Sequence, residues 1–198
     1  GADLPSKAYS AYLATGWRTA PEQIIGGDIN FQVGLHSDFE TLTTRSLRYQ
    51  GQGIGLVRLT PTLTLKGGVR YIDRARIKLW PAAGLLWQPS PTMKFDIFFP
   101  QPKLSIYLST VGAAQVWGYV AGEYGGGSWT IDEPYGVERV DINDIRISGG
   151  VEWFGARGIN GFVEAGYVFE REVVYVVMPN LSIKDVPPTF MLRGGLSF

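Results

Sequence analysis

Few residues in this chain have the types and spacing that chemistry needs. His36 is the only histidine among 198 residues, and cysteine is absent. General-base chemistry near neutral pH therefore has one histidine candidate, while thiol nucleophiles, thiolate metal centres and disulfides have none. The tripeptide at 36–38, His-Ser-Asp, invites a serine-hydrolase reading, and the enzyme it would imply is an outer-membrane lipid hydrolase. A triad, however, draws base, nucleophile and acid from separate positions, and neighbours on a strand point to opposite faces. His36 is therefore read as a polar residue at the rim of a strand, with no catalytic residue assigned. GQGIG at 51–55 and GEYGGG at 122–127 resemble phosphate loops only superficially, because such a loop must open a helix and strand-like sequence follows both. Asp141, Asn143 and Asp144 offer oxygen ligands at short spacing, but the remaining positions of a calcium loop are missing, so no metal or cofactor is expected.

Charges set opposite apolar residues are more telling. From Asp144 to Trp153, Ile145, Ile147, Val151 and Trp153 alternate with Asp144, Arg146, Ser148 and Glu152, which is the period of a strand with two unlike faces. After the turn signal GARGIN at 155–160, Val163, Ala165, Tyr167 and Phe169 alternate with Glu164, Gly166, Val168 and Glu170. At the end of the chain Phe190, Leu192, Leu196 and Phe198 oppose Met191, Arg193 and Ser197. Residues 29–36 and 63–71 repeat the pattern, the second placing Arg70 on the polar face. Further strands are expected over 45–59, 76–87, 93–99, 103–109 and 113–123, with loops at 124–136 and 178–188 and no helix. The polar face then carries Arg70, Arg146, Glu152, Glu164, Glu170 and Arg193, charges that must pair in a confined interior. With the turn at 155–160, Arg146 is expected opposite Glu170 or Glu172.

Composition narrows the class. Glycine makes up 26 of 198 residues, about 13% against a usual roughly 7%, and charged residues only 18% against a usual roughly 25%. Disorder and a helical bundle are excluded. The formal charge of +0 removes the broad attraction expected of a nucleic-acid binder. Apolar runs such as WPAAGLLW at 80–87 are far too short for a membrane helix, and GADLPSKAYS lacks the regions of a signal peptide, so an exported protein would be represented by its mature form. The remaining choice is between a soluble barrel or sandwich and a membrane barrel, which share the same alternation. Aromatic girdles favour the membrane: Trp87, Trp153 and Phe198 would lie near one interface, and Tyr71, Tyr167, Phe169 and Phe190 near the other.

Segments 79–108 (LWPAAGLLWQPSPTMKFDIFFPQPKLSIYL), 123–129 (EYGGGSW), 144–153 (DIRISGGVEW), 164–172 (EAGYVFERE) and the ending LRGGLSF resemble an uncharacterised outer-membrane β-barrel family, a domain of unknown function, of planctomycete-type bacteria. The resemblance covers most of the chain and implies fold and location, with no activity to transfer. A terminal aromatic after alternating apolar residues also resembles the signal read by the barrel-assembly machinery, which makes Phe198 the expected contact. The expectation is therefore an all-β chain, one antiparallel transmembrane β-barrel over 1–198. It has about ten strands, or twelve if 7–17 forms a strand and one more pairing is added, with 1–27 otherwise a leading segment. An even count would return both termini to the periplasm. The expected function is non-enzymatic: a narrow passage in the bacterial outer membrane, or an envelope scaffold or assembly subunit, with outer-membrane lipid and envelope proteins as partners. The alternatives are the lipid hydrolase and a soluble β-barrel holding a small apolar ligand.

Overall fold

Alternating sequence becomes strand almost everywhere. The computed structural model describes residues 9–20, 23–37, 46–74, 77–133, 136–156, 158–177 and 180–197. These form twelve strands: β1 (Tyr9–Arg18), β2 (Ile25–Ser37), β3 (Leu47–Thr60), β4 (Leu63–Tyr71), β5 (Leu79–Ser90), β6 (Met93–Phe99), β7 (Lys103–Val111), β8 (Ala114–Glu133), β9 (Gly136–Gly155), β10 (Asn160–Val177), β11 (Asn180–Val186) and β12 (Thr189–Ser197). No helix occurs among the described residues. Phe198, proposed from sequence as an assembly signal and girdle residue, lies outside them.

Sequential neighbours from β1 to β11 pair antiparallel, and β12 pairs with β10. Strands β2 to β8 close into a ring, because β8 returns to β2 through a parallel contact between Ser37 and Thr130. The purely antiparallel expectation is corrected at that point. Tight turns gather at one end of the ring, hereafter the turn end; the opposite end is the loop end. Two of the turns share one design: Pro61-Thr62 follows Thr60, and Pro91-Thr92 follows Ser90. In each the earlier hydroxyl accepts the Thr N–H at 3.3 Å. Proline presets the bend and the hydroxyl satisfies a backbone donor that the ladder leaves free.

Several sequence expectations need correction. The count of ten falls short by two, because 1–27 contains β1 and the expected loop 178–188 contains β11. The loops expected at 124–136 and 178–188 are largely strand, since β8 runs on to Glu133, β9 begins at Gly136 and β11 occupies Asn180–Val186. Beside β10, Val168 faces Thr189 and Arg171 faces Val186. β11 and β12 are thus one ribbon interrupted only at Pro187 and Pro188, which have no N–H to give the ladder. Twelve strands match the alternative count, but only seven of them, β2 to β8, close the ring, and the other five extend the sheet beyond it. Tyr9 pairs with Ser37 and Ser197 with Asn160, so the described ends lie at opposite ends of the sheet.

A single row of irregular residues crosses four ribbons. Gly126 in β8 has φ of +94°, and a Cβ there would come within 1.9 Å of the Ile142 carbonyl oxygen. Opposite, the β9–β10 register shifts between Phe169 and Glu172, and Glu170 takes φ of +48°. The row ends at the two prolines. Beyond it the loop-end halves of β8, β9 and β10 together with β11 form a four-stranded flap, centred on Val140, Val173 and Tyr175 with Ile142 and Val186 packed against them.

Candidate functional site

The concave face of the sheet carries the polar chemistry. Lys66 of β4 reaches Asp96 of β6 at 2.8 Å, and Lys103 of β7 reaches Glu152 of β9 at 2.5 Å. Arg193 of β12 crosses two intervening strands to Glu123 of β8 at 2.9 Å. Such reaches are open only to side chains on the inside of a strongly curled sheet. Glu164, buried, is the best-partnered acid: it accepts from Tyr119 Oη at 2.6 Å, from Ser148 Oγ at 3.2 Å and from Arg193 Nε at 2.5 Å. Three donors, one of them charged, replace the water that a buried carboxylate would otherwise miss.

Of the charges singled out from sequence, Glu164 and Arg193 meet, Glu152 meets Lys103, and Arg70 donates to Gln52 and Gln101. Arg146 does not stand opposite an acid of β10. It faces Val168, and its acids are Asp144 at 2.7 Å and Glu123 at 4.0 Å. The expected partnership with Glu170 or Glu172 fails because the hairpin register is shorter than the turn signal suggested and then shifts. Glu170 sits exposed at that shift, apart from the network. Asp141, Asn143 and Asp144 do not converge on a cation site, each being bonded to an arginine, Arg139, Arg74 and Arg146 respectively. No group able to hold a metal occurs among the described residues.

The convex face is the reverse. Outward positions level with the ring, from β2 to β10 and in β12, hold Leu, Ile, Val, Phe, Tyr, Trp, Met, Ala and Gly, with Pro81 among them, and carry no charge between the polar rims. Many are half exposed, among them Ile147, Val163, Val120, Leu65 and Ile106. Trp87 packs on Phe95 at the turn end, with ring centroids 5.5 Å apart. Trp153 covers Gly161. Toward the loop end Tyr167 stacks on Phe169 at 6.2 Å and meets Phe190 edge-on at 5.4 Å. Gly161 and Tyr167 share β10, so the two aromatic levels stand about 20 Å apart along the strand at roughly 3.3 Å per residue.

Inside, the space is divided. A cavity of about 390 Å³ near the loop end is lined by Asn30, Gln32, Gln50, Gln52, Arg70 and Arg74, among others. One of about 220 Å³ at the turn end is lined by Arg58, Lys66, Lys94 and Asp96. Between them lies an apolar cluster of Ile54, Ala82 and Phe98, with Leu56 against it. The ladder explains its position: Gln52 faces Arg70, the next inward rung is Ile54, Gly68 and Ala82, and Leu56 then faces Lys66. A Cβ on Gly68 would fall 2.0 Å from the Gly53 carbonyl oxygen, so glycine lets the wall draw in where the cluster fills the bore. A third cavity, of about 340 Å³, lies beside the Glu164–Arg193 pair. The amides and the apolar rung were missed from sequence because uncharged inward residues give no signal that separates them from a wall.

His36 lies past the bend row, directly opposite Ser10 of β1, and its Nδ1 is 2.9 Å from the Ser10 hydroxyl. Its Nε2 is buried with no partner among the described residues, and among them no acid orients the imidazole as a triad requires. Burial, and then the Arg48 cation, hold its pKa below the ordinary value, with Asp73 opposing; the ring is neutral at pH 7. Arg48 donates to Ser128 and Thr130 of the flap, and Arg74 to Asn143, so this end of the ring is tied to the flap by buried polar contacts. Comparisons of the chain with protein-family models, curated proteins and solved structures found no match.

Proposed function

We propose that this chain is a non-enzymatic β-barrel of a bacterial outer membrane, forming a narrow passage interrupted by an apolar constriction. The carrying observation is the inverted polarity of the wall: an apolar, charge-free convex face around a concave face of paired charges and amides. In water this arrangement would expose the apolar surface and enclose the ions, losing hydrophobic stabilisation and costing desolvation together. Against lipid both terms reverse, because outward side chains need no water and inward charges keep each other and lumenal water as partners. Aromatic levels about 20 Å apart fit the roughly 25 Å apolar band of such barrels. The same observation weighs against a soluble barrel holding an apolar ligand, whose interior would be the apolar side. It also agrees with the resemblance to outer-membrane barrels.

The passage is read as closed at rest, since Ile54, Ala82 and Phe98 offer water no hydrogen bonds and a constriction of this kind gates by dewetting. The test has two parts. The folded protein should run faster than the boiled protein on a gel and should partition with outer membranes; full solubility without detergent would defeat the membrane reading. In planar bilayers the native protein should show little steady conductance and Phe98→Ala a higher one. Equal conductance of the two would remove the constriction from the account. An envelope-scaffold role is favoured only by the sheet edges: among the described residues β1 pairs with β2 alone and β12 with β10 alone. A strictly monomeric mass in detergent would count against it.

A further inference from the structure

The loop-end chamber holds a surplus of positive charge in a setting built to bind. Arg70 lines it and spends its donors on neutral oxygens: Nε and Nη2 on Gln52 Oε1 at 3.2 and 2.8 Å, and Nη1 on Gln101 Oε1 at 2.9 Å. Arg74, buried, donates to Asn143 at 2.9 Å and lies 5.0 Å from the centre of the Tyr124 ring. Neither has a carboxylate within ion-pair distance among the described residues.

The acids close enough to act on them are held by other cations, Glu123 among them although it lines the same chamber. Glu123 belongs to Arg193, Asp28 to Arg18, Asp141 to Arg139 and Asp144 to Arg146. Arg74 is buried and Arg70 half-buried, and guanidinium groups so placed without a carboxylate at ion-pair distance are completed by a further anion. Beside them, the side-chain amides of Asn30, Gln32 and Gln50 line the same cavity and make no hydrogen bond within the described structure. Gln32 and Gln50 face each other across β2 and β3, and Asn30 faces Gln52. An amide presents donors and an acceptor together, which matches hydroxyl groups that both donate and accept.

We propose that this chamber binds a small polyhydroxylated oxyanion, of the class of sugar acids or sugar phosphates, its anionic group between Arg70 and Arg74 and its hydroxyls on Asn30, Gln32 and Gln50. A volume of about 390 Å³ is in the range of small-molecule sites, roughly 300–1,000 Å³. Guanidinium is the group suited to two-pronged contact with carboxylate or phosphate. The inference goes beyond the passage reading, because the chamber has the same lining whatever medium surrounds the wall.

Calorimetric titration of the folded, purified full chain tests it, with glucuronate, glucose 6-phosphate, glucose, acetate and inorganic phosphate as probes. At least one of the two sugar anions should bind saturably and at least tenfold more tightly than glucose, acetate or phosphate; which of the two does so distinguishes carboxylate from phosphate. Arg70→Gln and Arg74→Gln should each weaken that binding at least tenfold, and Gln50→Leu should reduce it toward the acetate or phosphate level. Equal binding of glucose, or no saturable binding of either sugar anion, overturns the proposal. Binding unchanged in both folded arginine variants does so as well. The ligand series on the native protein decides the matter even if a variant fails to fold, and it does so independently of whether the barrel conducts.

Discussion

Two regions made from the same ribbons obey opposite rules. In the wall, Val163, Val120 and Val151 are 52%, 56% and 40% exposed, while Glu164 behind them is buried. In the flap, only a few residues further along β9 and β10, Val140, Val173 and Val174 are at most 1% exposed. One residue type is thus half exposed on one side of the Gly126–Glu170–Pro187 row and buried on the other, where Val173 and Val174, as strand neighbours, are covered on opposite faces. Beyond the row the strands continue as a flap in which apolar residues are buried on both faces. We read the flap as the part that meets water and the wall as the part that meets lipid, with the row as the boundary. His36 and the Arg48 contacts fall on the flap side of it.

The sharpest way to break this comparison is to place a charge on each region. Val163→Arg should destabilise the wall by about 2–4 kcal/mol if the site is near mid-membrane. Ile183→Arg, on an exposed flap position, should stay within about 0.5 kcal/mol, as for ordinary surface changes. Reversible unfolding in lipid vesicles measures both, and equal costs would erase the boundary. Gly126→Ala comes next. A side chain at φ of +94°, pointed into the Ile142 carbonyl, should cost more than about 1 kcal/mol. The loss should show as faster amide exchange across the flap with the wall unchanged; uniform loss would mean that the two regions fold as one.

The smallest effect belongs to His36. Its folded pKa is lowered, so the opened state holds the proton more tightly. Its contribution is complete above the ordinary value near 6.5 and is lost as pH falls through the folded value. Acidification should lower the protection of the Ser37 and Thr130 amides relative to their intrinsic exchange rates, and His36→Gln should remove that dependence. An unchanged pH profile in the variant would take His36 out of the closure.

What could be read early follows from how far each signal travels along the chain. Alternation at 144–153, 163–169 and 190–197 marked real strands and put Arg146, Glu152, Glu164 and Arg193 opposite the apolar positions, because a strand's two faces are a local property. The turn at 155–160 was also legible, yet the partner of Arg146 was not. A register depends on where the first ladder bond forms and on a shift at Glu170, and neither leaves a mark on composition. The triple glycine at 125–127 looked like a loop because glycine-rich sequence usually is one; here it lies within β8, where two strands approach closely. The prolines at 187 and 188 looked like a loop for the same reason, and in fact interrupt one ribbon.

The order of residues was enough to establish strands rather than helices, one polar and one apolar face, and the absence of thiol chemistry, since each depends only on residue type and a period of two. Only the tertiary structure decided which acid each arginine holds, that Ile54, Ala82 and Phe98 meet in the bore, and that among the described residues Arg70 and Arg74 have no carboxylate at ion-pair distance. Those facts depend on the curl of the sheet, which brings together residues from strands far apart in sequence, and curl is set by register, bulges and close glycine contacts acting jointly.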